Sequence, residues 1–289
     1  MKERALMKEK ALMKERTLFV SDMDGTLLNS QSVLSPSTIE RLNTLINEKG
    51  VLFTVATART PATATILMKD VKSTIPYILM TGAALWDPQQ SCFSNVRTMS
   101  NEAVEQILEV FAKHHVAPFV YRRHGNTLIV HHSHNMTERE KAFMEPRVQT
   151  PLKQLRLCDK IAAHDDDEAM LVFSLGPYPA MDAINKELRE RGVACSPACY
   201  YDIDDSSQGI LDIYAPDTNK ASAIKRLAND LGATRIVVFG DNRNDLSMMS
   251  IADHSVAVAN AYDEVKAQAD EVIGCNDDDA VVKWIEENC

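Results

Sequence analysis

Two aspartates one residue apart, Asp22 and Asp24, close the apolar run Phe19-Val20-Ser21 and are followed by Gly25 and Thr26. Carboxylates at this spacing can share one hard divalent cation, Gly25 lets the backbone turn sharply, and Thr26 can cap the turn that follows. Taken alone, Asp-x-Asp-Gly is also the pattern of calcium loops and acidic turns. A second acidic cluster, Gly240-Asp241-Asn242-Arg243-Asn244-Asp245, follows a second apolar run, Arg235 to Phe239. Thr57 ends a third run from Val51, and Lys220 heads an amphipathic helix. Singly, Thr57 reads as a strand-end hydroxyl, Lys220 as a solvated helix start and Asp245 as an acid at a helix N-terminus. Together, in this order, they describe phosphoryl chemistry. A carboxylate attacks phosphorus and splits one hard hydrolysis into two easier steps. A second acid two residues on, Asp24, can protonate the leaving oxygen and then take a proton from water. The charge carried by the transferring group asks for a cation and donors already in place, here Lys220, the Thr57 hydroxyl and the amides after Asp22. Mg²⁺ suits two or three carboxylate or carbonyl oxygens drawn from separate strands.

The elements that must position these groups alternate. Ser35-Pro36 opens a helix with Ile39, Leu42, Leu45 and Ile46 on one face, ended by Gly50; Val51–Thr57 is a strand; Thr60-Pro61 opens another helix; Tyr77–Met80 is a third strand. Strands alternating with helices predict a parallel α/β sheet whose ligand crevice lies at the carboxyl ends of its strands. Between about Trp86 and Tyr214 the pattern changes to helices and paired strands, with a turn at His124-Gly125-Asn126, which predicts an antiparallel α+β module. Because both ends of this module return to the core, it is expected as an insertion, a cap over the crevice. The fold class expected is therefore α/β, a Rossmann-like parallel-sheet core with an inserted α+β cap domain. The division is a repetitive tail at 1–16, a core at 17–85 and 215–289, and a cap at 86–214. The tail holds near-copies of one hexad beginning at Met1, Met7 and Met13. A six-residue period spreads its leucines around a helix, so no coiled-coil seam or membrane anchor is expected, and the segment reads as frayed.

With 289 residues and 45% hydrophobic content, the chain can bury an ordinary globular core. A formal charge of −10 argues against nucleic acid or an anionic membrane as partner. Six scattered cysteines without a signal peptide read as reduced thiols of a cytoplasmic protein, and Cys195 and Cys199 lack the partners of a zinc site. His131-His132-Ser133-His134 reads as an exposed strand end and Asp165-Asp166-Asp167-Glu168 as a solvated loop. Tyr121-Arg122-Arg123-His124 reads either as an exposed basic turn or as a cap tip offering cations and a ring to substrate.

Asp22-Met23-Asp24-Gly25-Thr26-Leu27, Thr57, Lys220 and Gly240–Asp245 together resemble the four motifs of haloacid dehalogenase superfamily phosphatases, in the Cof-like branch with a large α+β cap of type C2. The resemblance implies Asp22 as nucleophile and Asp24 as acid and base, with Thr57 and Lys220 completing the catalytic set. It implies phosphate contacts from Asp22, Gly25, Thr57, Ala58, Arg59, Lys220 and Asn244. It implies Mg²⁺ held by Asp22, the main-chain carbonyl of Asp24, Asp241 and Asp245, and a small phosphorylated metabolite, a sugar phosphate or phosphorylated cofactor, as substrate. Two glycines common in the family are alanines here, in Thr57-Ala58-Arg59 and Ala259-Asn260-Ala261, where a strained loop or a narrower pocket is expected. A phosphomutase of the same superfamily and a non-catalytic metal- and phosphate-binding regulatory module remain as alternatives.

Overall fold

The computed structural model describes residues 16–148, 150–202 and 205–289. The predicted tail falls outside the described residues up to residue 15. Along the chain run β1 (Thr17–Ser21), α1 (Pro36–Asn47), β2 (Leu52–Val55), α2 (Pro61–Leu67), β3 (Tyr77–Leu79), β4 (Ala84–Asp87), β5 (Cys92–Val96), α3 (Asn101–Lys113), β6 (Phe119–His124) and β7 (Thr127–His132). Then follow α4 (Glu138–Met144), β8 (Lys153–Leu157), β9 (Glu168–Pro177), α5 (Tyr178–Glu190), β10 (Ser196–Tyr201), β11 (Gln208–Tyr214) and α6 (Lys220–Leu231). The chain finishes with β12 (Arg235–Gly240), α7 (Leu246–Met249), β13 (His254–Ala257), α8 (Asp263–Gln268), β14 (Glu271–Val272) and α9 (Ala280–Asn288).

The chain forms two compact units, one comprising the residues up to Ala58 with Thr65–Gln90 and Asn219–Cys289, the other Arg59–Ala64 with Ser91–Thr218. In the first, five parallel strands stand in the order β14-β13-β12-β1-β2, and an isolated parallel bridge from Ala56 to Ile78 brings in β3. The strand order reverses at β1, which pairs with β12 on one side and β2 on the other; such a switch point opens a crevice at the carboxyl ends. Ser35 caps α1 by accepting from Thr38 N, with Pro36 at its first position, and Leu42, Leu45 and Ile46 are buried.

The joins between units differ from those read in the sequence. Tyr77, Ile78 and Leu79 of β3 pair antiparallel with Trp86, Leu85 and Ala84, which keeps the fully buried Trp86 in the first unit. At the other end Ala215 packs in the second unit's core and its carbonyl accepts from Thr218 N.

In the second unit β10-β11-β9-β6-β7-β8 form one sheet, antiparallel except for the parallel pair β7–β8. Its core sets Ile107, Val110 and Phe111 of α3 and Ile184 and Leu188 of α5 with Val120, Val172, Leu211 and Ile213 of the sheet. Three readings are corrected here. His131 and His132 are buried rather than an exposed strand end, since β8 pairs along β7. Arg122 is neither an exposed turn residue nor a cation at a tip: it is fully buried, donating to the carbonyls of Ala162 and Asp167, with Asp165 3.7 Å away. The acidic stretch 165–168 is thereby knitted to the sheet, Arg123 pairing with Glu168 and His124 with Asp167.

Candidate active site

The candidate groups of the first unit gather where β1 and β12 end. Asp22 follows β1, its amide donating to Phe239 O of β12 at 2.9 Å, while Ala56 N after β2 donates to Ser21 O at 2.8 Å. The chain then turns through Met23–Leu27 with Gly25 at φ 78°. A Cβ at Gly25 would lie 2.5 Å from Asp241 Oδ2, so both the backbone angle and the close approach require glycine. Thr26, read in the sequence as a turn cap, donates its hydroxyl to Asp241 Oδ1 at 2.6 Å and so joins the two acidic motifs. Asn260 donates to the Gly25 carbonyl at 2.7 Å, and its own Oδ1 accepts from Asn276 N. In the sequence Asn260 stands out only within the altered motif Ala259-Asn260-Ala261, because an amide side chain that binds two backbone segments leaves no spacing signal.

Lys220 Nζ lies 2.5 Å from Asp22 Oδ1 and 2.7 Å from Asp245 Oδ1, and its side chain is inaccessible to solvent. Asn219 caps α6 by accepting from Ser222 N, which fixes where the lysine leaves the backbone. Asp245 is fully buried, and its second oxygen accepts from the amides of Asp241 and Asn242, each at 3.0 Å. Asp22, Asp241 and Asp245 each offer an oxygen within 4.8 Å of the others. Three carboxylates against one ammonium leave the cluster at a formal −2, and every donor is oxygen, which fits one hard divalent cation. Asp22 and Asp241 are the better placed to hold one, because each has an oxygen without a hydrogen-bond partner among the described residues, whereas both oxygens of Asp245 are engaged.

Burial pushes the Asp22 carboxyl above the usual carboxylate range; the Lys220 charge opposes this, and Asp245 and Asp241 add to it. Burial likewise raises Asp241 to about 6 against the Thr26 hydrogen bond. For Lys220 burial works against the charge, but Asp22 and Asp245 outweigh it and hold the ammonium above its ordinary value. These directions describe carboxylates short of positive charge, which a bound cation would supply.

The remaining sequence candidates follow β1, β2 and β12. Asp24 is exposed at the turn, near enough to raise Asp241 electrostatically. Thr57 is buried, its amide donating to Ile78 O and its carbonyl accepting from Thr81 N, both at 3.0 Å. Ala58 and Asn244 are exposed, and Arg59 is half-buried at the start of the segment that belongs to the second unit. None of Ala58, Ala259 and Ala261 has a positive φ, so the strain expected from the lost glycines is not found.

The haloacid dehalogenase-like hydrolase family model matches residues 19–285. A pyridoxal phosphate phosphatase of Escherichia coli is 26% identical over 270 residues, covering 91% of this chain and 95% of that one. A 5-amino-6-(5-phospho-D-ribitylamino)uracil phosphatase of Bacillus subtilis is 26% identical over 285 residues, covering 92% and 96%. Among solved structures, a HAD subclass IIB sugar phosphatase superposes with a TM-score of 0.73 at 20% identity, covering 94% of this chain and 98% of that one. Among the described residues no helix is long and apolar enough to cross a membrane.

Proposed function

The chain belongs to the haloacid dehalogenase-like hydrolase family, and from that premise we propose that it is a Mg²⁺-dependent phosphatase acting on a small phosphomonoester through an aspartyl-phosphate. The observation that carries this reading is the buried Asp22–Lys220–Asp245 set with Asp241 alongside. Lys220 holds Asp22 Oδ1 and leaves the other oxygen to attack phosphorus. The P–O bond to the leaving alcohol breaks as the Asp22 oxygen bonds to phosphorus, and Asp24 donates its proton to the departing oxygen. In the second step Asp24, now a carboxylate, takes a proton from water as that water attacks the phosphoryl group and frees Asp22. Lys220, the Thr57 hydroxyl and the turn amides stabilise the equatorial oxygens, with Gly25, Ala58, Arg59 and Asn244 proposed as further phosphate contacts. Mg²⁺, held by Asp22, Asp241 and the Asp24 carbonyl, would offset the charge of the phosphate and of the cluster, with Asp245 behind them.

The names of the relatives support a phosphorylated cofactor or sugar phosphate as the substrate class. The six free thiols support a reducing, cytoplasmic setting. The test is phosphate release from a panel of sugar phosphates, nucleotides, pyridoxal phosphate and flavin mononucleotide, with Mg²⁺ or EDTA, for the wild type and Asp22→Asn. Metal-dependent turnover that drops at least about 10³-fold in the variant is expected, since removing a nucleophile abolishes the covalent route. Turnover that survives Asp22→Asn or EDTA would defeat the mechanism. A requirement for a sugar bisphosphate would turn the reading to a mutase, and Mg²⁺ binding without any turnover to a regulatory module.

A further inference from the structure

We infer that the turn Met80-Thr81-Gly82 is a positioning device that sets Thr57 and Lys220 relative to each other, with Gly82 as its essential residue. The inference rests on the reading of Thr57 and Lys220 as phosphate-handling groups. Three consecutive residues of this turn have positive φ, at 52°, 56° and 97°, and only the last is glycine. L residues rarely adopt this region, and a run of them persists where the surroundings impose it at a functional site.

The surroundings here are the two segments that carry the phosphate groups. On one side Thr81 N donates to Thr57 O at 3.0 Å and Thr57 N donates to Ile78 O at 3.0 Å, so the backbone on both sides of the Thr57 side chain is pinned to β3 and its turn. On the other side Gly82 lies against the residue before Lys220: a Cβ there would stand 2.4 Å from Asn219 O, 2.9 Å from Asn219 C and 3.0 Å from Ala223 Cβ. The Asn219 carbonyl accepts the first helical bond of α6, from Ala223 N at 3.3 Å, and the Asn219 side chain caps that helix. The Gly82 carbonyl in turn accepts from Arg226 Nη2 of the same helix at 3.1 Å. One turn therefore grips the Thr57 backbone at one end and the head of α6 at the other. Displacing it moves the Lys220 ammonium away from Asp22 while leaving every proposed catalytic side chain in the sequence.

The test uses p-nitrophenyl phosphate with Mg²⁺ and compares the wild type with Gly82→Ala and Arg226→Met, recording kcat, KM, the inhibition constant of orthovanadate and the melting temperature. Orthovanadate reports transition-state complementarity, because a group out of place weakens its binding in step with the loss of rate. A lesion that only unfolds part of the sample lowers kcat and leaves the inhibition constant of the remaining enzyme unchanged. For Gly82→Ala, kcat should fall about 30- to 100-fold with KM within threefold, and the vanadate constant should rise by a factor comparable to the loss in kcat/KM. Arg226→Met, which adds no atoms at the contact, should show the same pairing at about five- to tenfold, and it decides the matter if Gly82→Ala does not fold. An unchanged vanadate constant in the folded variants, or Arg226→Met with kcat within twofold of wild type, overturns the inference while leaving the phosphatase reading standing. Absence of wild-type turnover, by contrast, removes the reading on which it rests.

Discussion

Replacing Lys220 with methionine probes the candidate site most directly, because the side chain is inaccessible and pairs with two carboxylates at 2.5 and 2.7 Å. Methionine keeps the length and removes the charge. Breaking a buried ion pair from one side leaves an uncompensated carboxylate and costs about 3–5 kcal/mol. Asp22 already has a raised pKa and can relieve part of this by taking up a proton, so a net loss of roughly 2–4 kcal/mol is expected near neutral pH. At about 2–4 °C per kcal/mol for a domain of 150–250 residues, the melting temperature should fall by roughly 5–15 °C. The assay is thermal melting followed by circular dichroism in EDTA at pH 9.0 and 7.5, repeated with Mg²⁺. The part of the penalty that comes from Asp22 exists while that carboxylate is charged in the folded state and is relieved as pH drops through its raised pKa of about 8, so the deficit should be larger at pH 9.0. Mg²⁺ should restore part of the stability by supplying positive charge and little of the turnover, since on the proposed mechanism Lys220 acts at the phosphoryl oxygens. A variant melting within about 2 °C of wild type in EDTA at pH 7.5 would refute the argument that Lys220 neutralises this cluster.

Gly25→Ala combines a φ of 78° with a Cβ placed 2.5 Å from Asp241 Oδ2; it should cost about 1–2 kcal/mol in backbone strain and displace Asp241. Turnover should drop at least about 100-fold and the Mg²⁺ concentration for half-maximal thermal stabilisation should rise about tenfold; half-saturation within twofold of wild type would contradict the assigned ligand position. In the second unit Lys153 is 2% exposed and donates to Tyr121 Oη at 3.3 Å, and no carboxylate pairs with it among the described residues. Burial first, and the charge of Arg147 second, push its pKa down to about 7. Its folded pKa lies below the unfolded value, so between about pH 7 and 10.5 the unfolded chain binds the extra proton and stability rises with pH across that window. Lys153→Met should raise the melting temperature at pH 7 by removing a burden on the order of 3 kcal/mol, and should flatten its rise between pH 7 and 9. The same slope in variant and wild type would show that another group carries it.

The parallel core was legible because β1, β2 and β12 are largely buried and each leads into a group of distinctive chemistry: Ser21-Asp22, Thr57 and Gly240-Asp241. The N-terminal cap of α1 at Ser35-Pro36 and the left-handed end of α6 at Gly232 could be read for the same local reason. What the sequence concealed depends on long-range pairing. β8, Lys153-Gln154-Leu155-Arg156-Leu157, alternates in a way that suggests Leu155 and Leu157 on a buried face, yet the structure buries Lys153 and leaves Leu157 62% exposed. Arg122 stands in a stretch that looks like a basic turn until residues 162–167 come back to supply its carbonyl acceptors. In the site itself the acids were legible and the groups that hold them were not. Thr26, Asn260 and Asn276 each reach a residue more than 200 positions away through a side-chain hydrogen bond, and no periodicity announces such a bond.

The engagement of Asp245 clarifies why a site of this kind would carry more acids than a cation needs. On the proposed mechanism Asp22 loses its carboxylate charge when it becomes an acyl phosphate, and a lysine paired with Asp22 alone would lose its counter-charge in the same step. Asp245 Oδ1 stays on Lys220 throughout, and its second oxygen is fixed by two amides of the loop that presents Asp241. The ammonium is therefore kept charged by a partner that takes no part in bond making, while the phosphoryl oxygens bring new negative charge to the place where Asp22 had supplied it. Because Asp245 also accepts from the Asp241 amide, the position of Lys220 and the position of the carboxylate proposed to bind the metal depend on the same side chain. With a cation bound as proposed, that arrangement would let one buried aspartate hold both positive centres of the site at fixed separation, which is what preorganised stabilisation of a transferring phosphoryl group requires.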